Sequence, residues 1–315
     1  MIKWPNNKKF AFTIVDDTDC STLENVPFVY NYLKECGLKT TKSVWIFNGE
    51  KRIDNNKIIG TTCEDERYLE WTKNLQKYGF EIALHSTSWS RSERGRIIKS
   101  LDLFREYFGD DPSILVQHND TVDCESIYWG ENRISGFNKI IYKIMMAIKG
   151  SKRNIYHGDS IESKYFWGDI CKNRIKYVRN FVYEDINTLK SCPSMPYFDP
   201  IRPFVNYWFA STEAPDVYTF NNCISEENQK KLEEEGGACI IYTHFGKDFY
   251  KNGVLNPLFK SLIKTLSTRE GWFVTASELL DYLLATNRRN RSISNSERDK
   301  LEKSWLYHKI KVGTS

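Results

Sequence analysis

Phe10-Ala11-Phe12-Thr13-Ile14-Val15-Asp16-Asp17-Thr18-Asp19 is the stretch on which the fold of this chain turns. An apolar and β-branched run of strand length leads straight into carboxylates. In a parallel α/β protein a strand delivers its last side chains to one rim, where chemically active groups gather. Two later stretches have the same form: Glu81-Ile82-Ala83-Leu84-His85-Ser86 and Ala238-Cys239-Ile240-Ile241-Tyr242-Thr243-His244-Phe245-Gly246. Each ends a predicted strand in an imidazole. Paired carboxylates joined by distant histidines are the inventory of a metal-assisted hydrolase.

Working outward, strand and helix patterns alternate. A helix is expected over Leu23–Cys36, a strand over Thr40–Phe47, a helix over Asp65–Tyr78 with Gly79 at its end, and a strand over Phe80–Leu84. A helix over Arg94–Phe108 and a strand over Ser113–Gln117, closing at His118, come next. The alternation then loosens. Asn138–Ile148 reads as a helix, Asn154–His157 as strand-like, Asp169–Val182 as helical or mixed, and Asn187–Lys190 as a short strand; four prolines within Pro193–Pro203 mark a loop. Regularity returns with a helix over Glu226–Glu235, Gly236-Gly237, and the strand Cys239–Thr243. A helix over Pro257–Leu266, a strand over Gly271–Val274 and a helix over Ala276–Leu284 complete the pattern.

This alternation implies an α/β fold with a mainly parallel sheet and crossover helices. About seven such units in one run imply a distorted (β/α) barrel over residues 1–286, with roughly residues 120–225 inserted as long loops over the active rim. Residues 287–315 read as a basic polar tail with a helix over Glu297–Tyr307, a solvated appendage or, as the alternative, an arm that docks a partner.

Composition narrows the function classes. At 40% hydrophobic and 27% charged residues the chain is an ordinary soluble globular protein, and a net charge of +4 is too small to argue for nucleic acid. Nine Trp and eighteen Tyr would suit a carbohydrate-facing cleft, although aromatics also fill cores. The eight cysteines form no Cys-x-x-Cys pair, which argues against a zinc ribbon and for reduced thiols. The first residues contain no apolar signal-peptide core, and no window reaches the length of a membrane span; Ile140–Ile148, the most apolar helical stretch, is too short and carries Lys143. The expectation is a cytoplasmic protein without a membrane span.

Asp16 and Asp17 repel one another, and a cation would relieve that repulsion, leaving one to bind metal and its neighbour to act as a base. The plainer alternative is that they cap a helix or form a turn, helped by Thr18 and Ser21. His85 is an available ligand beside the hydroxyls of Ser86, Thr87 and Ser88, or a structural histidine; His244 is a candidate acid. His157-Gly158-Asp159 and Phe166-Trp167-Gly168-Asp169 have loop character near expected strand ends, and Arg179 and Arg202 are candidates to pair with an anionic sugar, with Asp16, or at the surface.

Together these segments resemble the polysaccharide deacetylases, the NodB-homology carbohydrate esterases, in an atypical branch associated with bacterial surface-polysaccharide synthesis. Val15-Asp16-Asp17 resembles the family's Thr-x-Asp-Asp signature, His85-Ser86-Thr87-Ser88-Trp89 its His-[Ser/Thr]-x-x-His motif, and Thr243-His244 its final Leu-x-His segment. The resemblance implies a hydrolase that removes an acetyl group from an amino sugar or glycan precursor, such as a nucleotide sugar, in lipopolysaccharide O-antigen or capsule synthesis. It assigns Asp16 as catalytic base, His244 as catalytic acid, and Asp17 and His85 as ligands of a divalent metal, zinc first and cobalt, nickel or manganese as alternatives. The family's second metal-binding histidine falls on Trp89, whose indole offers no lone pair. His118 is the expected third ligand, with Asp19 as the alternative; His118 is otherwise a substrate hydrogen-bonder. Ser86, Trp89 and Arg202 are expected to support or bind substrate, and Asp169 or Asp159 to tune His244. The rival reading is a catalytically silent relative that binds a glycan or a partner enzyme, which Trp89 favours.

Overall fold

The computed structural model describes residues 2–49, 59–117, 124–127, 130–148, 155–286 and 291–312. His118 lies outside them. In chain order the regular elements are β1 (Phe10–Asp16), α1 (Val26–Glu35), β2 (Thr41–Val44), α2 (Glu66–Lys77), β3 (Glu81–His85), α3 (Arg94–Phe108), β4 (Ile114–Val116) and α4 (Gly136–Ile148). They continue with α5 (Gly168–Arg174), β5 (Tyr177–Tyr183), α6 (Thr188–Ser191), β6 (Tyr207–Glu213), α7 (Val217–Cys223), α8 (Glu226–Glu235) and β7 (Ala238–Thr243). A hairpin of β8 (Tyr250–Lys251) and β9 (Val254–Leu255) precedes α9 (Pro257–Ser267), β10 (Gly271–Phe273), α10 (Ala276–Thr286) and α11 (Asn295–Val312).

Strands β1 to β7 run parallel in sequence order, and β7 pairs with β1 from Ala11↔Ala238 to Asp16↔Thr243, so the sheet closes into the expected barrel. Its distortion has a definite origin. β1 meets β2 only at Val15↔Thr41 and Asp16↔Lys42, while its first half pairs with β10 at Phe10↔Gly271 to Phe12↔Phe273. The eighth strand therefore fills the amino-terminal gap between β1 and β2, and the amide of Ala276, opening α10, donates to Thr41 Oγ1 beneath it. Strands covered on both faces carry near-continuous apolar runs, and every residue of β1 is buried.

Local chemistry sets most boundaries. Asp65 caps α2 by accepting from the amides of Arg67 and Tyr68, and α3 stops where Gly109 takes a φ of 91°. The middle of the chain differs from expectation. It contributes two barrel strands, β5 and β6, rather than loops alone. Asn187 caps the short helix α6 through the amide of Lys190 instead of entering a strand, and residues 155–157 are not in a strand.

The segment after residue 290 is docked, not solvated. In α11, Glu302 is fully buried and accepts from Ser135 Oγ at 2.8 Å, the Ser135 amide at 3.0 Å and Asn138 Nδ2 at 3.2 Å. Asp199 receives Arg298 and Arg202, and Arg202 also reaches Glu302, so Arg202 clamps this helix rather than facing a substrate. Glu213, the last residue of β6, takes His308 at 2.5 Å and Lys309 at 2.8 Å. Replacing Glu302 with Ala leaves these donors facing an apolar void, and a loss of about 1.5–3 kcal/mol is expected in urea unfolding. A loss within error of zero would show that the helix docks without it.

Candidate active site

Successive side chains on a strand point to opposite faces, so the adjacent carboxylates at the end of β1 are separated by their own backbone. Asp16 turns outward, toward the helix layer. Its Oδ2 lies 3.0 Å from Tyr30 Oη of α1 and 3.0 Å from Lys42 Nζ of β2, and its Oδ1 accepts from the Phe245 amide at 2.8 Å. Lys42 also donates to Ser21 Oγ at 3.1 Å. Neither Asp16 nor Lys42 is exposed, and although burial acts to lower the Lys42 pKa, the charge of Asp16 holds it raised. Asp16, expected as the base, is thus enclosed with both oxygens engaged, a position from which it does not meet solvent.

Asp17 turns into the barrel mouth. Arg179 of β5 grips it with both terminal nitrogens, Nη1 to Oδ1 at 2.8 Å and Nη2 to Oδ2 at 2.5 Å. Burial alone would push the Asp17 pKa up, but Arg179 and His85 outweigh it and hold the carboxyl well below the ordinary carboxylate range. His85, the last residue of β3, places Nε2 3.6 Å from Asp17 Oδ2 and 3.5 Å from Asp19 Oδ2. His244, one residue beyond β7, places its own Nε2 3.6 Å from the same Asp19 oxygen. Asp19 therefore stands between the two imidazoles, and the acidic group that meets them is Asp17 with Asp19.

The backbone is strained where it aims these groups. Cys20, directly after Asp19, has a φ of 61°, and Ser86, directly after His85, a φ of 49°. Non-glycine residues adopt this left-handed conformation at a cost, and such positions cluster at functional sites. Trp45 packs edge-on against His85 with ring centroids 5.6 Å apart and against Trp89 at 5.5 Å, and a Cβ at Gly49 would overlap the Trp89 indole.

His244 is tuned. Its Nδ1 lies 2.6 Å from the Pro215 carbonyl oxygen, which only accepts, so Nδ1 carries the hydrogen. In the neutral ring this leaves the lone pair on Nε2, aimed at Asp19. Burial lowers the His244 pKa from its ordinary 6.5, against the opposing charges of Asp19 and Asp17 and helped by Lys247. Asp169, expected near this ring, is held instead by Arg94 at 2.6 and 2.7 Å in a half-exposed pair.

The donor types at the rim suit a divalent metal, yet among the described residues no group of three or more His, Cys, Asp or Glu is placed to hold one. Asp17 already spends both oxygens on Arg179. The described residues do not fit the metal that the sequence resemblance implies.

Solved structures match this architecture along most of the chain. A Mycobacterium smegmatis protein described as a polysaccharide deacetylase superposes with a TM-score of 0.54 at 12% identity, covering 93% of this chain and 96% of that one. The chain has the polysaccharide-deacetylase fold. PuuE allantoinase superposes with a TM-score of 0.51 at 11% identity over 91% of this chain and 94% of that one. No protein-family model and no curated protein matches the sequence.

The structure brings His85, His244, Asp17 and Asp19 together at one rim, each at or just past the end of a strand. Lys42 and Tyr30 are not marked by the sequence, since a lysine inside a strand and a tyrosine on a helix carry no local sign of their shared partner Asp16. Nor does the sequence mark Asp17 as the partner of Arg179, 162 positions away.

Proposed function

We propose that this chain is a deacetylase that hydrolyses the acetyl–nitrogen bond of an acetylated amino sugar or glycan precursor, such as a nucleotide sugar, in surface-polysaccharide synthesis. One observation carries the proposal: His85 and His244, from opposite parts of the barrel, face a single Asp19 oxygen at 3.5 and 3.6 Å. Neutral His244 takes a proton from water at Nε2 while the water oxygen attacks the acetyl carbonyl carbon. Asp19, with the Asp17 carboxylate behind it, stabilises the imidazolium that results. Collapse of the tetrahedral intermediate breaks the carbon–nitrogen bond, and Nε2 returns its proton to the departing amine, giving acetate and the free amino sugar. His85 orients the acyl group, and Trp89 offers a ring face for the sugar. Lys42, Asp16 and the Phe245 amide position His244.

The test is acetate release from a panel of acetylated nucleotide sugars and N-acetylhexosamines, with Asp19→Asn as control. Release by the wild type, and slower release by the variant, supports the proposal; silence across the panel moves the assignment to the glycan-binding relative that Trp89 favours. The resemblance adds a divalent cation, and elemental analysis of purified wild type and His85→Ala measures it directly.

The pH dependence has a definite sign. The base works unprotonated, so kcat/KM should rise with pH through the lowered pKa of His244, with a midpoint below 6.5, and be flat above it. Lys247 and the Asp17 and Asp19 charges are the groups that bias this limb. A midpoint above 6.5 would contradict a buried neutral base.

A further inference from the structure

The loop that leaves β3 after His85 runs past Trp89 to the start of α3, and a cavity of about 570 Å³ opens there. Arg91, Ser92, Glu93, Gly95 and Arg96 line it from one segment and Lys164 from another, three cations against one carboxylate. Lys164 is matched to Glu93 at 2.6 Å and Arg91 has contacts of its own, so neither selects an occupant. Arg96 does. Its Nη2 donates to the Asn48 carbonyl and its guanidinium lies over the Phe47 ring, contacts that leave its charge unneutralised. Among the described residues no carboxylate pairs with it, and its Nε and Nη1 have no acceptor.

The helix start is open as well. Glu93 stands at the N-cap without capping, and α3 has no acid in its first turn. The amides of Arg96 and Ile97 return to the Glu93 carbonyl and that of Arg94 reaches the Lys164 carbonyl. This leaves the Gly95 amide without an acceptor among the described residues, and a Cβ at Gly95 would meet nothing within 4 Å. Ser92 gives an independent sign of a ligand. It is 2% exposed, and its hydroxyl, at the cavity wall, has no hydrogen-bond partner among the described residues. A buried hydroxyl without a partner is costly, and a bound acceptor removes that cost.

We propose that this cavity binds the phosphate end of a phosphorylated organic molecule. An open amide at a helix start, a guanidinium with unused donors and an unpaired hydroxyl together form the donor set of a phosphate site. The volume exceeds what an inorganic ion fills and falls in the range of small-molecule pockets. A short relay of contacts joins the cavity to the candidate active site. Arg96 reaches Asn48, the neighbouring Gly49 lies against the Trp89 indole, and Trp89 meets Trp45, which packs on His85. The inference goes beyond the deacetylase reading, and its test reads binding without turnover, so either can fail alone.

That test is isothermal titration of the full chain with uridine diphosphate, glucose 1-phosphate, inorganic phosphate and uridine. At least one organic phosphate should saturate the protein roughly tenfold more tightly than uridine or inorganic phosphate, and added salt should weaken it. Saturation by uridine diphosphate alone supports a nucleotide as the source, and saturation by both organic phosphates supports recognition of the phosphate group itself. Arg96→Gln should weaken binding by about tenfold or more, as loss of a charge-assisted bond does. Gly95→Glu places a carboxylate in the helix start, which favours the helix and repels a phosphate, so binding should fall while melting holds or rises. Ser92→Ala should cost less, about threefold. Absence of saturation by either organic phosphate overturns the proposal. So does binding that Arg96→Gln and Gly95→Glu both leave intact, which places the phosphate elsewhere, or uridine that binds as tightly as its diphosphate.

Discussion

His244→Gln is expected to lower the rate of acetate release by about 10²–10⁴-fold, the usual worth of a positioned acid–base group. Glutamine keeps a donor near the Pro215 carbonyl but offers no basic nitrogen toward Asp19, so folding and substrate binding should survive while the proton has nowhere to go. The effect belongs in kcat, and the acid limb of the pH profile should vanish with it. Asp19→Asn is the diagnostic partner. It removes a charge that raises the His244 pKa, so the remaining activity should show its acid limb at lower pH than the wild type. An unshifted limb in Asp19→Asn, or a His244→Gln enzyme within tenfold of wild type, would remove His244 from the reaction.

The second large effect falls on stability. Lys42→Met leaves the Asp16 carboxylate buried without its cation, and breaking a buried pair from one side costs about 3–5 kcal/mol. Tyr30 and the Phe245 amide remain as donors, so the chain should still fold, with a lowered urea midpoint. Adding Asp16→Asn to Lys42→Met removes the stranded charge, and the double variant should be more stable than the lysine variant alone. A lysine variant within about 1 kcal/mol of wild type would mean that Asp16 is neutral in the folded protein and that the pair is not ionic. Acetate release reports the same network by another route, because Asp16 holds the amide next to His244.

Much of the architecture was legible because its signals are local. Arg94–Phe108 and Glu226–Glu235 have the bounds that their periodicity and terminal glycines indicate. β5 and β6 lack a clear local signal for a physical reason. β5 carries Arg179 and Asn180 at its centre, where one holds Asp17 and the other donates to Tyr197 Oη, and polar residues with private partners interrupt the apolar run by which a buried strand is recognised. β6 follows a proline-rich loop and ends in Ser211-Thr212-Glu213, whose last carboxylate waits for His308 and Lys309. The tail reads as solvated because α11 mixes charge around its whole circumference, and its buried Glu302, Arg298 and Lys309 are hydrogen-bonded by residues about 95 to 170 positions away.

The sequence by itself determined the order of strands and helices, and that carboxylates and imidazoles stand at strand ends on one rim, because periodicity and capping act within a few residues. Strand alternation also dictates that Asp16 and Asp17 face opposite ways. Which of them faces the barrel mouth was decided only by closure of the sheet, which set Lys42 beside Asp16 and Arg179 across from Asp17. A charge is placed by the partner that neutralises it, and these partners meet only in three dimensions.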